Sequence, residues 1–165
     1  MVSVAKHHQC ATKKPVSATS AVRCAVRTKR TRDPDAPTIL KAERVARRKK
    51  LVRLVERLPE ATATLQAGHR HMSHEVRGKR FGWMLDDHQG DGRLALNCRG
   101  PAGANKMLVA AEPELFHLPR YLWHRGWIGA WLDIGKVDWS AVDAVLTDAY
   151  RMTAPRTLVA RMNAV

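Results

Sequence analysis

The sequence predicts an α+β domain: a two-layer sandwich in which an antiparallel sheet of about five strands carries its helices on one face. Two patterns and a length point there. Apolar residues recur at a 3.6-residue period in an early segment and again in a late one, and between them the period falls to two. The first three period-two segments are joined by short turns rather than by helices, the pattern of an antiparallel meander. A length of 165 residues, 45% of them hydrophobic, suits one core.

The first helix is expected over 38–58, because Leu51, Leu54, Val55 and Leu58 fall on one stripe and Pro59 stops it. Its other side, with Arg44, Arg47, Arg48, Lys49, Lys50 and Arg53, reads as a basic surface turned away from the core. Three strands are expected over 72–77, 80–86 and 93–99, the last two joined by the Asp-Gly-containing stretch from Asp86 to Gly92. In the third, Leu94, Leu96 and Cys98 face one way and Arg93, Asn97 and Arg99 the other. Gly100-Pro101 opens a short helix to Ala111, which Glu112-Pro113 closes. A short strand at 115–118 and a longer one at 126–133 follow; in the latter Ile128, Ala130 and Leu132 alternate with Trp127, Gly129 and Trp131. Asp138 is suited to cap a helix over 139–153 that carries Trp139, Val142, Val145, Leu146 and Ala149 on one side, and Pro155 begins a last helix to Met162.

Residues 1–36 read as a basic tail. They hold eight Lys or Arg and two Asp, and their scattered apolar residues follow no period that could bury them, so disorder is expected. The domain is then 37–165. The whole chain carries 29 basic and 15 acidic residues, a net +14, and the domain alone keeps a net +8. Such a charge attracts polyanions without identifying one. Cys10, Cys24 and Cys98 are odd in number and form no CxxC pair, which fits a reducing compartment. No apolar run approaches the roughly 18 to 20 residues that span a bilayer, so a membrane role is not expected and the cytoplasm is the expected location. The basic, Ser/Thr-rich start without an acidic residue before Asp33 is also the composition of a mitochondrial transit segment.

Catalytic and metal chemistry find little to rest on. His69, His71 and His74 are close in sequence, but on a strand the first two share a face that the third does not, and no Cys or carboxylate joins them at a ligand spacing. The stretch from Asp87 to Gly92 resembles the start of a calcium loop, yet Cys98 stands where a bidentate Glu is required. No phosphate loop or nucleophile elbow is present, and Asp86 and Asp87 point apart at a strand end. The expectation is a binding protein, not an enzyme, with no cofactor and no metal.

The residues that favour binding are cationic and aromatic. Arg77, Lys79, Arg80, Arg93 and Arg99 lie within the sheet segments, and Arg120 and Arg125 flank Tyr121, Trp123 and Trp127. Positive charge serves phosphates and flat rings serve unpaired bases. The competing expectation is that the strand tryptophans are simply core. A Trp127 and Trp131 pair left outside the core would instead mark a partner surface, including a protein partner.

Further motifs occur in a fixed order: Val76-Arg77-Gly78-Lys79-Arg80-Phe81; Leu85-Asp86-Asp87-His88 with Gly90-Asp91-Gly92-Arg93; His124-Arg125-Gly126-Trp127-Ile128-Gly129 ending in Leu132-Asp133; Asp138-Trp139; and Ala149-Tyr150-Arg151 through Ala154-Pro155. By these the chain resembles the MmcQ/YjbR family over residues 42–162. The resemblance implies a CyaY-like (frataxin-like) two-layer sandwich. It also implies a DNA-binding role through a double-wing arrangement, with largely sequence-independent phosphate contacts. Candidate contacts are Arg77, Lys79, Arg80, Arg93, Arg99, Arg120, Arg125 and Trp127. Frataxin-like iron handling does not carry over, because the first helix is basic where an acidic ridge would be required.

Overall fold

A computed structural model describes residues 39–163. The expected tail, 1–36, lies outside the described residues. Helix α1 (Lys41–Glu56) is followed by strands β1 (Ala61–Leu65), β2 (Met72–Val76), β3 (Lys79–Asp86) and β4 (Leu94–Arg99). Helix α2 (Ala104–Ala111), strands β5 (Phe116–His117) and β6 (Trp127–Trp131), and helices α3 (Trp139–Thr153) and α4 (Arg156–Asn163) complete the order. The strands form one antiparallel sheet in the order β1-β2-β3-β4-β6-β5.

The α+β class is as expected, but the sheet has six strands where about five were expected. The extra one is β1, whose Ala-Thr-Ala-Thr-Leu sequence has the period of a strand and little bulk to announce it. It pairs with β2 from Ala61 opposite Val76 to Leu65 opposite Met72. Helix α2 starts three residues later than Pro101, after Gly103 at a φ of 79°.

Pairing registers decide which side chains share a face. Met84 opposite Leu96 and Cys98 opposite Ile128 place the even-numbered residues of β4 and β6 toward the helices. There Leu94, Leu96, Cys98, Ile128 and Ala130 meet Leu51 and Val55 of α1 and Val142, Leu146 and Tyr150 of α3 in one core. Each such Leu or Ile contributes about 1.5–3 kcal/mol by leaving water. A bulge at Phe81, unpaired between Arg80 opposite Glu75 and Gly82 opposite His74, turns its ring inward to meet Tyr150 edge-on at 5.8 Å. Tyr150 in turn donates its hydroxyl proton to the Pro59 carbonyl at 2.8 Å, which ties α3 to the turn before β1.

The basic side of α1 departs from expectation. Arg47 lies one turn before Leu51 on the buried stripe and donates to the carbonyls of Leu132, Ile134 and Gly135. Arg44 and Arg48 converge on buried Asp86, at 2.6 and 2.9 Å. Three of the six basic residues read as surface therefore hold the helix onto the sheet. Lys49, Lys50 and Arg53 are exposed as expected.

Candidate nucleic-acid interface

An antiparallel meander sends its connections alternately to the two ends of the sheet, and here the charges separate with them. One end collects the connections α1–β1, β2–β3, β4–α2 and β5–β6. They carry Arg57, Arg77, Arg120 and Arg125 against a single acid, Glu60. The other end collects β1–β2, β3–β4, α2–β5 and β6–α3, which carry Asp87, Asp91, Glu112, Glu114, Asp133 and Asp138 against Arg70, Arg93 and Lys136. Counted over the connections alone, one end of the strand axis is cationic and the other acidic; at the acidic end Arg44 and Arg48 of α1 also meet Asp86, and Arg47 meets the β6–α3 carbonyls. Lys79, Arg80 and Arg99, at the strand termini beside the first set of connections, extend the cationic end.

The local chemistry fixes each group. The turn Arg77-Gly78 joins Val76 to Lys79 with both residues at positive φ (49° and 71°), the twist a two-residue hairpin requires. Arg77 holds this conformation against Glu60, with which it forms a two-nitrogen ion pair. That hydrogen bond holds the Glu60 carboxyl below its ordinary range and raises the Arg77 guanidinium. Arg161 of α4 adds a second contact to Glu60 at 3.2 Å. Arg80 pairs with Glu75 at 2.9 Å and lies over the Trp83 ring, 3.9 Å from its centre. Lys79, Arg99, Arg120 and Arg125 are exposed and pair with no acidic side chain among the described residues.

The β5–β6 connection, residues 118–126, is a built structure. The Pro119 carbonyl accepts from the backbone N–H groups of Leu122 and Trp123, and the Leu122 carbonyl accepts from Arg125. From α2, buried Asn105 donates through Nδ2 to the carbonyls of Trp123 (2.7 Å) and Trp127 (3.2 Å). Tyr121 is held at a φ of +70°, a region that costs a bulky residue about 1–2 kcal/mol. Its side chain is 74% exposed and that of Trp123 43%. Arg120 lies 5.3 Å from the Tyr121 ring centre and Lys106 lies 5.8 Å from that of Trp123.

Of the eight predicted contact residues, seven come together at this end: Arg77, Lys79, Arg80, Arg99, Arg120, Arg125 and Trp127. The exception is Arg93. It sits at the start of β4, at the acidic end, where it pairs with fully buried Asp133 and covers the Trp131 ring at 3.8 Å. On the uncovered sheet face Trp127 and Trp131 are half-buried, neither core nor free. Trp131 is sandwiched: His117 stacks on it at 3.8 Å and lies so closely over Gly129 that a Cβ there would stand 2.2 Å from Nε2. Burial lowers the His117 imidazole to about 4, and does the same to His74 within the core.

The other histidines do not assemble a metal centre. His71 Nδ1 accepts from the backbone N–H of Asp86, so Nε2 bears the proton and faces His88 Nδ1 at 3.2 Å. Among the described residues no group of three or more His, Cys, Asp or Glu is placed to hold an ion. No helix among them is long and apolar enough to cross a membrane. Cys98 is buried, and desolvation pushes its thiol up to about 12.

Trp83, Asn105 and Lys106 were not singled out from the sequence. Trp83 sits beside Arg80 in an alternating strand and was within reach of pattern reading. Asn105 gives no such signal, because its role depends on where the β5–β6 backbone passes.

The YjbR family model matches residues 56–152. A solved structure, that of Deinococcus radiodurans protein DR2400, described as a DUF419 domain, superposes with a TM-score of 0.52 at 18% identity, covering 63% of this chain and 75% of that one. Among curated proteins none matches the sequence.

Proposed function

The chain belongs to the YjbR family, and from that premise we propose that it is a non-enzymatic DNA-binding protein that takes the phosphate backbone at the cationic end of its sheet. The observation that carries this reading is the segregation of charge along the strands. Lys79, Arg99, Arg120 and Arg125 lack acidic partners among the described residues, while most acids of the strand connections lie at the opposite end. The strand order from β3 to β5 spreads these groups over roughly 14 Å, at about 4.8 Å between neighbouring strands. Phosphate contact of this kind reads no base edge, so binding is largely independent of sequence. Arg93, committed to Asp133, is not one of the contacts in this reading.

A protein partner on the uncovered sheet face, the second reading, has less support. Arg93 and His117 already occupy both faces of Trp131.

The test is a titration of the full chain with DNA across salt. Four phosphate contacts predict a fall in affinity of about 10²-fold between 50 and 200 mM salt. Replacing Arg99 and Arg125 by Ala should lower the log–log slope by about 2, and replacing Lys136, at the acidic end, should not change it. Equal effects from all three positions would sink the reading.

A further inference from the structure

We infer that the DNA this protein takes is single-stranded, its unpaired bases stacking on Tyr121 and Trp123. The inference rests on the DNA reading above and adds to it the rings, which that reading does not use.

Large aromatic side chains leave water wherever a fold allows it, and this fold keeps two out. Tyr121 is the more exposed of the pair, at 74%, and its backbone sits in the left-handed region, so no local preference of the chain places it there. The connection is nevertheless fastened. Pro119 is buried, its carbonyl takes two backbone N–H groups, and Asn105 pins both Trp123 and Trp127 by their carbonyl oxygens. A segment secured this firmly, with its rings turned out, is preorganised to meet something flat.

Charge complementarity identifies the flat partner as part of an anion. Arg120 and Lys106 lie beside the rings, and Arg125 and Arg99 lie on the same end of the sheet. An apolar protein surface would strand these cations, whereas a nucleotide supplies a ring for each aromatic and a phosphate for each cation. A base can stack in this way only when it is free of its own stack, so a duplex engages the cations and leaves the rings unused. Stacking tolerates every base, which agrees with binding that reads no sequence.

The experiment compares a thymidine oligodeoxynucleotide of about a dozen nucleotides, within the span that single-strand sites cover, with a duplex of equal length. Both are titrated against the full chain and its Tyr121→Ala, Trp123→Ala and Trp123→Phe variants. Both rings are exposed, so melting temperatures should stay near that of the parent and confirm folding. The expected result is tighter single-strand binding, weakened about tenfold or more by each Ala substitution, restored in large part by Phe, with duplex binding unmoved. If single strand and duplex bind alike, respond to Arg99→Ala and Arg125→Ala, and ignore the ring variants, the single-strand inference is overturned and DNA binding stands. If neither DNA binds at low salt, the DNA reading fails and takes this one with it.

Discussion

Arg93 lies over the indole of Trp131 with its guanidinium carbon 3.8 Å from the ring centre, and the same guanidinium pairs at 2.9 Å with Asp133, which is wholly buried. Asp133 also accepts from the backbone N–H of Leu94, at 3.0 Å, so one carboxylate joins the start of β4 to the end of β6. The arrangement commits Arg93, the last residue of the Gly90-Asp91-Gly92-Arg93 motif, to the fold.

Replacing Arg93 by Ala leaves the buried Asp133 charge without its cationic partner, and removing one partner of such a pair costs about 3–5 kcal/mol. Chemical denaturation should register that loss. DNA affinity of the fraction that remains folded should match the parent. A variant that keeps its stability and loses affinity would return Arg93 to the interface.

Arg47 tests the same distinction on α1. It shares the stripe of Leu51 and Val55 and donates to the Leu132 carbonyl at 2.8 Å and the Gly135 carbonyl at 3.1 Å, together with Ile134. Arg47→Ala should destabilise by about 2–4 kcal/mol, because several buried acceptors lose a charged donor. Lys49→Ala, on the exposed side, should change stability by no more than about 0.5 kcal/mol. Denaturant midpoints of the two variants check this.

These two arginines also mark how far the sequence can be read. The spacing of Arg47, Leu51 and Val55 is as legible as any apolar stripe, yet a guanidinium on that stripe is read by type and assigned to water. Only the position of the β6–α3 carbonyls shows otherwise. The alternation of β4 and β6 was legible because large apolar residues stand at every second position. β1 was not, because alternating Ala and Thr have too little contrast. The cationic end lies between these cases. Every residue in it is visible in the sequence, but only the strand order decides that Lys79, Arg99, Arg120 and Arg125 share an end and that Arg93 does not.

Asn105→Ala tests the support beneath the β5–β6 connection. Two carbonyls lose their donor, at a cost of about 1–3 kcal/mol, and the loss should be local because both acceptors, Trp123 and Trp127, lie at that connection. Amide exchange over 122–127 should accelerate more than in the sheet. Unchanged exchange there would mean that the Pro119 carbonyl holds the segment unaided.

Acid should weaken the fold in a window set by two histidines. Burial holds His74 in the core and His117 against Trp131 to about 4 in the folded chain, against an ordinary value of 6.5 on unfolding. The depressed folded values fix the sign. Above pH 6.5 both states are neutral and nothing is lost. As the pH falls from 6.5 toward 4, only the unfolded chain takes up the protons, so stability falls with pH. Below about 4 the folded chain takes them up too and this contribution levels off. Each site accounts for about 3 kcal/mol across the window. The slope of unfolding free energy against pH should therefore be clearly positive between 4 and 6.5, and His117→Gln, which cannot take up a proton, should reduce it by the share that His117 carries. A slope that persists unchanged in that variant would assign the acid sensitivity to other groups.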